Sequence, residues 1–305
     1  MVIMERTPYQ QKMDLLGLQE HNLFEIIFFK VVHIVSALST RYAVDDALDE
    51  RTFLLRTVTR MTNLMNSVYT LFKTTKDRAS MMILTRSIID LNAIIVFLFR
   101  FVKDNDERAL RLCLYYLDGV RTRIEFLKEP LKERDSRYIS EEEYNATLCQ
   151  MEKAKKADTV ALKDLENRIL SSPLFPRMHS GIFKKASWKY KKIDDKESYS
   201  WADLYEIACG EKKMAGFEQK YLSHYVHGIA ISDFQFSSIN ETNPVFSLNI
   251  CCTILNPVDQ LIKEWFPNDY NDLEKEFKLQ MGEKLLSRLS PDSLNEYLKR
   301  LDYPE

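Results

Sequence analysis

The stretch LLRTVTRMTNLMNSVYTLF, Leu54–Phe72, decides the fold class. Its apolar residues Leu54, Val58, Met61, Met65, Val68 and Phe72 fall four, three, four, three and four positions apart. That spacing keeps one apolar seam along a helix and leaves polar residues on the other sides. The pattern repeats downstream at Leu84, Ile88, Leu91, Ile95, Leu98 and Val102, and again at Leu110, Cys113, Leu117, Val120, Ile124 and Leu127. The links between the three helices, Thr74–Lys76 and Lys103–Asn105, are short, and short links between long helices predict antiparallel neighbours. Upstream, Tyr9–Thr40 is apolar over much of its girth near Phe24–Val35 and is expected to join the same bundle. The sequence therefore predicts an all-α protein: an antiparallel helical bundle with a charged helical and loop insertion and C-terminal helices.

Composition agrees. The chain has 305 residues, 45% of them apolar, with only 7 Gly and 9 Pro, which disfavours a turn-rich β protein. One helical domain is expected over 1–305, with a core bundle over about 9–128 and 200–265, an insertion over about 129–199, and C-terminal helices over 269–302. The 43 basic and 45 acidic side chains leave a formal charge of -2, so no global field draws the chain to nucleic acid or an anionic membrane. Five cysteines, an odd number without a C-x-x-C, predict reduced thiols in a cytoplasmic protein. Glu5 and Arg6 come early and a polar stretch follows, so no leader peptide is expected. The greasiest runs are Leu23–Val35, broken by Lys30 and His33, and Ile88–Val102, broken by Asp90, Asn92 and Arg100. A spanning helix needs about 20 mostly apolar residues, so both runs read as buried helices and no membrane partner is expected.

Helix starts are marked by Asp104 before Glu107, Ser140 before Glu143, and Ser200 before Asp203, all with capping-box spacing. Ser290-Pro291 and Asn256-Pro257 pair a capping residue with Pro at a first helical position. The second pair is expected to split or kink Asn243–Trp265. In the insertion, a long exposed helix or hairpin is expected after Ser140, followed by an irregular connection over Ser171–Tyr199. That connection carries Arg177, Lys184, Lys185, Lys189, Lys191 and Lys192 before any acid, with Trp188 among them. Two readings stand: the lysines hold phosphates while Trp188 stacks a base, or the segment is solvated and Trp188 plugs the core.

Polar groups also sit where helix packing alone would not ask for them. Arg86 and Asp90 fall one turn apart on a second apolar face with Met82, Ala93, Phe97 and Phe101, so they can pair. A charge pair on an apolar face fixes geometry or serves a site, since desolvation can exceed the Coulomb gain. Later, Ser223 and His227 lie one turn apart, opposite an apolar side built from Phe217, Tyr221 and Tyr225. Gly216, Ser223 and Ala230, spaced by seven, would admit a close helix. His227 is either a structural histidine at that seam or a general acid/base. No E-x-x-H, H-E-x-x-H, phosphate-binding P-loop, G-x-G-x-x-G or G-x-S-x-G occurs, so no cofactor or metal site is expected and a serine hydrolase has no elbow.

Arg86-Ser87-Ile88-Ile89-Asp90, then Trp188, then Ser223 to Gly228 resemble an uncharacterised bacterial all-helical domain of unknown function. Its pattern is R-x-x-x-E on an early helix, a charged middle with a Trp, and a late S-x-x-x-H-G. The resemblance would cover roughly 54–265, and this chain departs from it with Asp90 in place of Glu. More distantly, the layout is similar to the HEPN superfamily of helical bundles, which implies metal-independent ribonucleases or RNA-binding partners. That signature has R-x(4–6)-H on one helix. Here Lys220 stands seven before His227, and Arg86 would have to substitute from another helix.

Two functions are carried forward. The first is a non-catalytic interaction or defence-associated protein, forming a homo-oligomer or binding a protein partner. The second is an HEPN-like ribonuclease or RNA-binding protein. There His227 acts on the RNA 2′-hydroxyl, Arg86 steadies phosphate charge, Asp90 orients Arg86, and the 184–192 segment holds the strand.

Overall fold

The computed structural model describes residues 20–128, 140–210 and 243–286. Among them the chain is α-helical apart from turns and one isolated bridge between Tyr190 and Ser198. Helices α1 (Glu20–Tyr42), α2 (Glu50–Lys73) and α3 (Arg78–Val96) lead into a π-helical turn, Phe97–Phe101. Then come α4 (Asn105–Lys128), α5 (Glu141–Leu170), a 3₁₀ turn (Phe175–Arg177), α6 (Ser180–Lys185), α7 (Trp201–Cys209), α8 (Asn243–Trp265) and α9 (Pro267–Leu286).

The chain divides into two compact units. One holds the described residues 20–92 and 243–286, the other 93–128 and 140–210. The expected border at 128/129, between bundle and insertion, lies inside the second unit, where α4 and α5 pack on each other.

In the first unit, α1 packs against α2, α8 and α9. That many neighbours explains why α1 is apolar over so much of its girth: Phe24, Phe28, Val31, Ile34, Val35 and Leu38 are all buried. On α2 the expected seam is fully buried at Leu54, Val58, Met61, Met65 and Val68 and half-buried at Phe72. Asp49 caps α2 by accepting the Thr52 N–H at 2.8 Å. Phe266 alone separates α8 from α9; it is buried, and Pro267 opens α9, where its missing N–H costs no helical bond. The unit also buries a carboxylate. Lys30 Nζ donates to Asp259 Oδ2 at 2.5 Å, and the Tyr270 hydroxyl donates to the same oxygen at 2.8 Å. A buried carboxylate is costly unless paired and hydrogen-bonded. Here an ammonium from α1 and a phenol from α9 both serve Asp259 on α8. Burial and that hydrogen bond push the Tyr270 phenol up, so it stays a neutral donor.

Of the two outcomes expected at Asn256-Pro257, a split or a kink, the split does not occur. Asn243–Trp265 is a single helix that runs through Pro257. The ring deprives the Thr253 carbonyl of its helical donor and crowds that same carbonyl. Burial of Cys251, Ile254, Leu255, Val258, Leu261 and Ile262 on either side favours continuity over a break.

In the second unit, α4 and α5 form an antiparallel hairpin, with Arg121 paired to Glu166 at 2.9 Å and Arg123 to Asp158. A capping box at Ser140 and Glu143 starts α5, and another at Ser200 and Asp203 starts α7. Asp104 accepts the Glu107 N–H at 2.8 Å. The third expected seam is buried at Leu110 and Leu117 and half-buried at Cys113, Val120, Ile124 and Leu127. Helix Arg78–Phe101, the π turn included, is long and apolar enough by length and composition to cross a membrane, and 72% of its apolar window is buried inside the protein.

Candidate functional site

Arg86 and Asp90 stand as their spacing predicted. The Arg86 guanidinium donates to Asp90 Oδ1 within α3, with both side chains part-buried. Ser223 and His227 lie outside the described residues, as do Lys220 and the Gly216–Ala230 seam. The structure thus brings together two of the four candidate catalytic residues.

The basic segment lies wholly in the second unit, and its geometry starts at Arg111. This arginine is 2% exposed. Its Nη1 donates to the Trp188 carbonyl at 2.7 Å and its Nη2 to the Tyr190 carbonyl at 2.9 Å. Nε and Nη2 both donate to Glu107 Oε1, at 3.1 and 2.6 Å. The guanidinium carbon sits 3.7 Å from the Tyr190 ring centroid and 5.0 Å from that of Phe97. All five donor positions of a guanidinium are fixed in one plane. Arg111 therefore fastens residues 188–190 to α4 in one orientation, where a lysine's single ammonium would not. Arg108, also buried, donates to the Val102 carbonyl at 3.1 Å and finishes the π turn.

Held this way, Trp188 faces the core. It is 5% exposed and makes edge contacts with Phe97, Tyr115 and Trp201. Of the two readings of Trp188, a platform for a base or a plug in the core, its burial fits the plug. Lys189 is half-buried, with Nζ 4.6 Å from the Trp201 ring centroid and 5.7 Å from that of Trp188. Burial lowers its pKa, and the Asp118 charge opposes that shift. Lys191 Nζ lies 3.4 Å from the Glu197 carboxylate. Lys184 and Lys185 are exposed in the last turn of α6, whose Phe183 and Lys184 carbonyls accept from Arg121 at 3.1 Å each. Lys192 is exposed.

The segment also walls an open pocket of 460 Å³. Arg177, Lys191 and Lys192 face it beside Asp104, Asp106, Glu107 and Asp194. The lysines thus share their concavity with acids from the start of α4, which dilutes any field for a phosphate backbone. Tyr190, fully buried behind Glu107, has its phenol pushed up by burial, although Arg111 opposes the shift.

Arg111 and this pocket were missed in the sequence. The signal for the first was the Glu107–Arg111 spacing, acid one turn before base, the favourable order on a helix. Nothing in that spacing marks the pair as buried, and the pocket depends on a fold-back of 174–194 that no local pattern encodes. Among the described residues no group of three or more His, Cys, Asp or Glu could hold a metal ion. No protein-family profile, no curated protein and no solved structure matches the chain.

Proposed function

We propose that this protein is a non-catalytic helical interaction protein that works through protein contacts, its own copies included. The observation behind this reading is that several of the groups offered for RNA chemistry are engaged within the fold, while Lys184, Lys185 and Lys192 stay exposed. Arg86 is bonded to Asp90, Trp188 fills an aromatic core, Lys189 lies over indole faces, and Lys191 is paired with Glu197. A strand-binding surface needs exposed aromatic faces and cations free to displace counterions. Five free thiols fit a reducing cytoplasm.

The test is RNA cleavage by the purified chain with EDTA present, alongside Arg86→Ala and His227→Ala variants shown to be folded. No cleavage of structured or single-stranded RNA by any of the three supports the interaction reading. Cleavage by the wild type that both folded variants lose would overturn it in favour of an HEPN-like, metal-independent ribonuclease.

A further inference from the structure

The pocket beside the start of α4 holds charge of both signs in one concavity. Two of its charges are committed: Glu107 to Arg111, and Lys191 to Glu197. Arg177, Lys192, Asp106 and Asp194 form no ion pair among the described residues. Glu107 is anchored at Oε1 by two contacts from Arg111, which is itself buried. The pocket thus has a carboxylate anchored by a buried arginine, with further acids and two cations outside any ion pair lining the same space. Its 460 Å³ falls within the ~300–1,000 Å³ usual for small-molecule sites.

A ligand of one sign meets repulsion from the like charges of this lining. A small ligand that carries an ammonium and a carboxylate meets attraction from charges of both signs. We infer that the pocket binds a small zwitterion of the free amino-acid class. Its ammonium lies toward Glu107, Asp106 and Asp194; its carboxylate lies toward Arg177 and Lys192, the guanidinium offering a two-pronged contact. This binding goes beyond the interaction reading, and either can fail without the other.

The experiment is calorimetric titration of the full chain with three probes of similar length: L-lysine, cadaverine with cations only, and glutarate with anions only. L-Lysine is expected to bind with a Kd of ~1 mM or tighter, and each one-sign probe about tenfold more weakly. Arg177→Ala and Lys192→Ala change exposed side chains, so folding is not at stake. Each should weaken L-lysine about tenfold while leaving cadaverine unchanged or tighter. Lys185→Ala, a basic change on α6 outside the pocket, should change nothing. The inference is overturned if L-lysine gives no binding. It is equally overturned if cadaverine binds as well as L-lysine, which would mean an acidic patch only, or if Lys185→Ala weakens binding as much as Arg177→Ala does.

Discussion

Single charges carry much of the specificity of this fold, and several of them find their partner on a distant helix. Asp269 is the clearest case for titration. It accepts from the Tyr42 hydroxyl at 2.5 Å and from Arg41 Nη1 at 2.5 Å, tying the first turn of α9 to the last turn of α1. The Tyr42 hydrogen bond first, then the Arg41 bond, hold the Asp269 carboxyl below the usual carboxylate range. A carboxyl depressed on folding binds fewer protons folded than unfolded, so stability rises with pH across the window between the two pKa values. Its contribution is fully present above the unfolded value of about 3.9 and is lost as pH falls through the lower folded value. Asp269→Asn removes the charge. The variant is expected to be less stable than wild type at pH 7 and to converge with it as pH drops below about 4. Urea titrations at a series of pH values check this, and an undiminished gap at the acid end would contradict it.

At the scale of elements, the α4–α5 hairpin shows what an ion pair does when its two ends differ in exposure. Asp158 is 1% exposed while Arg123 remains largely in solvent, with Nε 2.5 Å from Asp158 Oδ2. Arg123→Met strands a buried carboxylate, so it should cost about 3–5 kcal/mol. Replacing both partners, Arg123→Met with Asp158→Leu, removes the stranded charge and should cost less than the single change. Urea midpoints for the four members of the cycle measure the coupling directly; a double variant worse than Arg123→Met would refute the argument. The helices of this hairpin were legible in the sequence. The seam Leu110–Leu127 and the Ser140–Glu143 capping box mark their courses, because periodicity and caps are local. Which polar residue would be buried was not legible. Asp158 sits in a charged run beside Lys155 and Lys156 and reads as solvated until the packing of α4 is known. Pro257 shows the converse: its local rule allows a split or a kink, and the apolar contacts on both sides of it keep α8 one helix. The Arg86–Asp90 pair was legible because it lies within one helix, whereas the burial of Trp188 depends on Arg111, 77 residues away in sequence.

Across the whole molecule, the division into two units runs through α3, whose residues up to Asn92 belong to one unit and whose remainder belongs to the other. Each unit has its own buried polar anchor: Asp259 with Lys30 and Tyr270 in the first, Arg111 with Glu107 and two backbone carbonyls in the second. If the units are stabilised separately, loss of one anchor should loosen its own unit and spare the other, since stability need not be uniform along a chain. Arg111→Met tests this. It leaves the Trp188 and Tyr190 carbonyls without their donor and Glu107 without its cation, and should cost the second unit about 3–5 kcal/mol. Amide hydrogen exchange is expected to rise in α4, α7 and residues 186–199 while α1, α2 and α8 keep wild-type protection. Since the pocket is walled by the segment that Arg111 fastens, L-lysine binding should fall in the same variant. Equal loss of protection in α1 and α8 would instead mean that the chain unfolds as one cooperative body, with α3 carrying the disturbance from one unit into the other.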